Sequence, residues 1–118
     1  MAHQISDDFD NPLENLDFPP EVAEEMRGLL NRIGSEFWTR EGIEMSTRSL
    51  VTMAILCTRG QQEELAIHVR MGQEAFGVTR EQICETIRHC ALYAGAPMAV
   101  AGFRTVARVF AEMDREAS

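Results

Sequence analysis

The sequence predicts an all-α protein, a helical bundle of about five to six helices. Three observations carry that expectation. From Pro20 onward apolar residues recur at three- and four-residue spacing, the period of one helix face. No stretch alternates apolar and polar residues as a half-buried strand does. Glycines, prolines and capping residues punctuate the chain at intervals of helix length.

The elements follow in order. Residues 1–19 read as an acidic N-terminal arm, either laid along a neighbouring subunit or mobile, with scattered apolar anchors and a stiff "DFPP" at its end. The helical domain then spans residues 20–118. Val22, Met26, Leu29, Leu30 and Ile33 mark the first helix, which Gly34 is expected to end. "SEFWTREGIEM" is a shorter, broken piece carrying the single tryptophan, Trp38. Ser46 is placed to cap the next helix, with Leu50, Met53, Ala54 and Cys57 inward and Gly60 as its stop. A third helix runs from about Gln61 to Phe76, with Leu65, Val69, Gly72 and Phe76 on its buried stripe and Gly77 terminating it. Thr79, with Gln82 three residues later, forms a capping box that restarts the chain. Ile83, Ile87, Cys90, Ala91 and Ala94 carry that helix to Gly95, and Pro97 opens the last, through Val100, Phe103, Val106, Ala107 and Phe110.

Composition narrows the function classes. At 118 residues and 45% hydrophobic the chain suits one domain with a real core. No apolar run approaches the roughly 20 residues that span a bilayer, and "MAHQISDDFD" lacks the basic and apolar blocks of a signal peptide, so a cytoplasmic protein is expected. Of the 19 acidic groups, eight lie in the first 25 residues, which hold no base, leaving the remainder balanced with 11 acids and 11 bases. Without a basic stripe to neutralise phosphates, neither nucleic acid nor an anionic membrane is an expected partner. All 11 bases are arginine; with no lysine, Schiff-base and pyridoxal-phosphate attachment chemistry is excluded. Cys57, Cys84 and Cys90 are odd in number and hold no CxxC, so they read as buried free thiols rather than a disulfide framework. A zinc site from Cys84, His89 and Cys90 lacks a fourth ligand and a common face, and no metal is expected.

With these elements in place, "TRSLVTMA", "EELAIHV", "GVTREQICE" and "YAGAP", in that order, resemble the carboxymuconolactone decarboxylase family, from roughly Leu29 to the C-terminus. The resemblance implies an alkylhydroperoxidase D-like all-α fold assembled as a homotrimer or homohexamer. One branch of that superfamily reduces peroxides with a CxxC before a histidine. Gln61 and Glu64 stand at those two positions here, and a dithiol cycle cannot run without thiols. The other branch resembles γ-carboxymuconolactone decarboxylase of aromatic degradation by the β-ketoadipate route, and "WTREGIEMSTRSL" follows its pattern, with Glu41 where the family often has proline.

That resemblance implies decarboxylation of a small carboxylated lactone without a cofactor, because electrons left at the γ-carbon pass through the double bond to the lactone carbonyl. The protein must hold carboxylates, stabilise the developing enolate oxygen and return a proton at the α-carbon. Glu64 and His68, four apart, share one helix face; they are either a surface pair or a catalytic pair in which Glu64 orients His68. Arg48 is placed either to hold a substrate carboxylate bidentately or in a structural ion pair. Trp38 and Tyr93 are candidates for the pocket wall and a hydrogen-bond donor, or else ordinary core aromatics. A related lyase or isomerase acting on another enolisable acid, and a non-catalytic oligomeric accessory protein, are the alternatives.

Overall fold

The computed structural model describes residues 16–118; most of the expected arm, residues 1–15, lies outside them. Five α-helices and no strand are found among the described residues. The chain divides into two compact units, one reaching to Met45 and one from Ser46 to Ser118.

In the first unit, α1 spans Ala23–Ile33 and runs without a break into a π-helical turn, Gly34–Trp38. Gly34 therefore does not end the helix as its identity suggested. Its φ of −59° is right-handed, and the break comes at Thr39. Ser35 and Thr39 hydroxyls donate to the carbonyls of Arg32 and Ser35 at 3.2 and 2.8 Å, satisfying backbone acceptors that a wider turn leaves over. No residue of α1 is fully buried.

The second unit is a four-helix arrangement: α2 (Met45–Thr58, beginning at the unit boundary), α3 (Gln62–Ala75), α4 (Arg80–Ala94) and α5 (Ala96–Ala117). The connections are short because three glycines turn the chain at positive φ, Gly60 at 71°, Gly77 at 68° and Gly95 at 95°, values that side-chain-bearing residues rarely adopt. The capping box at α4 is formed in both directions, Gln82 N donating to Thr79 Oγ1 at 3.1 Å and Thr79 N to Gln82 Oε1 at 2.9 Å. Pro97 sits in the first turn of α5, as expected.

One core joins the four helices, with Met53 and Cys57 from α2, Leu65 and Val69 from α3, Ile83 and Ile87 from α4, and Val106 and Val109 from α5. The inward face of α5 is rotated from the expected stripe. Ala99, Gly102, Thr105, Val106 and Val109 are buried, whereas Val100 and Ala107 face solvent. The cause is Gly102: a Cβ there would lie 2.7 Å from Cys57 Sγ and 3.1 Å from Ile87 Cγ2, so α5 enters the core through its smallest residue. The far end of α5 is tied down by Arg70, which donates to both oxygens of Glu116 at 2.8 Å. Arg80 does the same for Asp114 while its guanidinium stacks 4.4 Å over the Phe110 ring.

Candidate active site

The α2–α3 hairpin carries three of the five residues expected at a site. His68 lies on α3 and is 7% exposed. Its position, three residues after Leu65 and next to Val69, places it on the core side of the helix. Its Nδ1 is closed off from solvent, and burial alone lowers its pKa to about 4, because an imidazolium loses its hydration inside the core. The ring is therefore neutral at pH 7. It can donate or accept a hydrogen bond there, but it is not an imidazolium acid.

Glu64 is one turn earlier on the same helix but exposed. No hydrogen bond or ion pair links it to another described residue, His68 included. The two share a face, as their spacing required, yet the direct bond by which Glu64 was expected to orient His68 is not formed. A buried ring and a solvated carboxylate four residues apart straddle the edge of the packed stripe. Arg48, in the first turns of α2, is half-buried, with its Nε enclosed.

Tyr93 and Trp38 lie on other elements. Tyr93 is 88% exposed near the end of α4, its ring 5.9 Å from that of His89, so neither a core aromatic nor a contributor to an enclosed pocket describes it in the single chain. Trp38 closes the π turn of the first unit and is half-buried.

Ser49 was missed in the sequence. It is fully buried, and its Oγ has no hydrogen-bond partner among the described residues. It lies against Gly72, where a Cβ would stand 2.8 Å from Ser49 Oγ and 2.7 Å from Met53 Cε. The signal was present: Ser49, Met53 and Cys57 recur every four residues on one face of α2, and all three are buried.

The cysteines do not form a reactive centre. All three are free. Cys57 and Cys90 are buried neighbours whose thiols donate to the carbonyls of Met98 (3.6 Å) and Ala54 (3.9 Å). Burial, with Cys90 beside it, pushes the Cys57 thiol up to about 11, away from the thiolate that peroxide chemistry uses. No cluster of three or more metal-ligating side chains occurs among the described residues. A shallow groove of about 340 Å³ is lined by Arg80, Glu81, Cys84, Glu85 and Arg88 of α4 and by none of the expected site residues. No helix among the described residues is long and apolar enough to cross a membrane.

Fold and site together define an all-α protein with a buried neutral imidazole on the second helix of a tightly packed hairpin. Comparison with known proteins gives the class its family. Residues 23–108 match the carboxymuconolactone decarboxylase family. A 4-carboxymuconolactone decarboxylase of Acinetobacter baylyi is 36% identical over 102 residues, covering 86% of this chain and 73% of that protein. The nitrosuccinic acid decarboxylase of Metarhizium robertsii is 35% identical over 63 residues, covering 53% of this chain and 43% of its own length. An uncharacterized 15.0 kDa protein of Paracoccus denitrificans is 30% identical over 80 residues, covering 67% and 60%. The chain belongs to the carboxymuconolactone decarboxylase family.

Proposed function

We propose that the protein is a carboxy-lyase acting on a small dicarboxylic acid whose departing carboxylate sits on a carbon conjugated to an electron-accepting group. The substrates named for two relatives, 4-carboxymuconolactone and nitrosuccinic acid, differ in skeleton but share that chemistry. Loss of carbon dioxide from the first leaves electrons that reach the lactone carbonyl oxygen. From the second, loss at the nitro-bearing carbon leaves a nitronate. Each intermediate places negative charge on an oxygen while a second carboxyl function remains, and each substrate contains its own electron sink. 4-Carboxymuconolactone, a lactone of aromatic degradation, is the first candidate.

The observation that carries this reading is the burial of His68 in its neutral form. A neutral N–H in a water-poor setting stabilises a developing oxyanion without first protonating the substrate carboxylate it must coexist with. In this scheme His68 donates to the enolate or nitronate oxygen. Arg48 holds the retained carboxylate through its guanidinium. Glu64, at the solvated edge, passes a proton from water to the carbon. Tyr93 joins the pocket only where a neighbouring copy encloses it, in a homotrimer or homohexamer.

The test is turnover of 4-carboxymuconolactone, followed by loss of its ultraviolet absorbance, by wild type and His68→Ala, with nitrosuccinate as second substrate. The expected loss in kcat is about 10²–10³-fold, as for removal of one oxyanion donor, in a variant that keeps its helical content and assembly. Equal turnover by the two proteins would place the chemistry on another residue.

A further inference from the structure

We propose that the open apolar edge of α1 docks against the same edge of a second copy of this chain, the two helices lying antiparallel about a two-fold axis. The proposal stands on α1 and needs no part of the decarboxylase reading.

Three observations lead there. First, α1 is patterned to be covered and is not. Val22, Met26, Leu29 and Ile33 follow one another at intervals of four, three and four residues, which aligns them along one side of the helix. Val22, Leu29 and Ile33 are nonetheless exposed, and no residue of α1 is fully buried. Phe37, in the π turn that prolongs the helix, is 57% exposed. A helix of 11 residues is marginal in water by itself and depends on packing its apolar face.

Second, the charges beside this edge match a copy of the same helix. With Met26 and Ile33 as heptad positions a, and Val22 and Leu29 as d, Glu25 and Arg32 both fall at g, on one flank of the stripe. Both are exposed, and neither side chain has a hydrogen bond or ion pair with another described residue. Glu25 lies in the first turn and Arg32 in the last. When two such helices run antiparallel, their g flanks meet and the acidic start of each lies beside the basic end of the other. Glu25 of one copy then faces Arg32 of the second copy, and the two-fold axis repeats the pair. The apolar layers become Val22 against Ile33 and Met26 against Leu29, each also occurring twice. In a parallel pair g meets e, so Glu25 would face the apolar Leu30 of the second copy and both charges would go unanswered. Helix-dipole compensation accounts for the sign of each charge at its end, but not for their sharing the flank of the open stripe.

Third, the polar face fits a protein rather than a lipid surface. Glu24, Glu25, Arg27 and Arg32 mix the two signs, whereas a helix lying in a membrane interface carries a basic face.

The experiment is sedimentation equilibrium of the full chain over a dilution series, with helical content checked by circular dichroism. The proteins are wild type, Leu29→Glu with Ile33→Glu, Glu25→Arg, Arg32→Glu, and the variant carrying both charge reversals. Wild type should contain an even number of 13.3 kDa chains: two if this is the sole contact, six if it joins two three-membered rings. Leu29→Glu with Ile33→Glu should halve that mass. Either charge reversal alone sets two like-charged pairs across the axis and should raise the dissociation constant roughly tenfold at low salt. Both reversals together should bring it back, because the pairs are then restored with their signs exchanged. An odd number of chains in wild type overturns the proposal. So does wild-type mass in the Leu29 and Ile33 variant, the result expected if residues 1–15 cover the stripe instead. Single reversals that leave the dissociation constant unchanged, or a double reversal no tighter than either, overturn the antiparallel register.

Discussion

His68 makes stability depend on pH in a window of its own. In the unfolded chain an imidazole titrates near 6.5, whereas burial lowers the folded value to about 4. Above pH 6.5 both states are neutral and the full stability is present. As pH falls the unfolded state takes up a proton that the folded state refuses, and stability declines until both are protonated below pH 4. The loss amounts to about 3 kcal/mol at 1.36 kcal/mol per pH unit. The acids held low by arginines, Asp114 by Arg80 and Glu116 by Arg70, act in the same sense, through a favoured charged form rather than a disfavoured one, and in a lower window. They contribute stability above the ordinary carboxylate range, lost as pH falls through it. Urea unfolding of wild type between pH 7 and 5 should therefore steepen with acidity, and His68→Asn should flatten that slope while the loss below pH 4 persists. A slope equal in both proteins would mean that the ring is hydrated in solution. At this scale the sequence offered candidate residues for chemistry but not their surroundings. Spacing put Glu64 and His68 on one face; the depth to which each sinks depends on the helices packed opposite. Ser49 was invisible for the same reason, since a serine inside a helix does not announce its burial until the facing glycine is known.

Helices, rather than residues, decide the fate of the glycines. Gly28 lies inside α1 with only an arginine tip 3.7 Å from where a Cβ would stand. Alanine there should help by up to about 1 kcal/mol through backbone entropy. Gly102 in α5 offers the same propensity gain, but its Cβ would meet Cys57 and Ile87, both fully buried with no flexible end to swing away. Overpacking costs about 1–3 kcal/mol and wins. Chemical denaturation of Gly28→Ala and Gly102→Ala should shift midpoints in opposite directions; a stabilised Gly102→Ala would show that α5 can slide on the core. Helix boundaries were legible because they are written locally, in Gly60, Gly77, the Thr79–Gln82 box, Gly95 and Pro97. Two features escaped. The phase of α5 was misread because periodicity counts apolar residues, whereas this helix buries a glycine and a threonine, the latter donating to Gln62 Oε1. Gly34 was misread because a glycine offers a left-handed stop without compelling it.

For the whole molecule, the apolar surface left open is the guide. Leu92 and Tyr93 at the end of α4 are 71% and 88% exposed, and Val51 and Ile55, one turn apart on α2, are about half exposed. Scattered exposed hydrophobes are ordinary, but an adjacent leucine and tyrosine this bare, in a domain small enough to profit from partner surface, fit an interface between copies. The prediction is a homotrimer or homohexamer of the 13.3 kDa chain by light scattering. Leu92→Ser with Tyr93→Ser should lower the measured mass toward that of one chain. Tyr93→Phe separates the two roles open to that ring: it keeps the apolar contact and removes only the hydroxyl. If Tyr93 serves assembly alone, Tyr93→Phe retains both mass and turnover. If its hydroxyl also reaches a substrate enclosed by the neighbouring copy, mass is retained and KM rises. A double serine variant of unchanged mass would show that assembly, where it occurs, uses another face. Tyr93, so exposed in the single chain, would then have no route to an enclosed site, and the proposed pocket would be built from α2 and α3 without it.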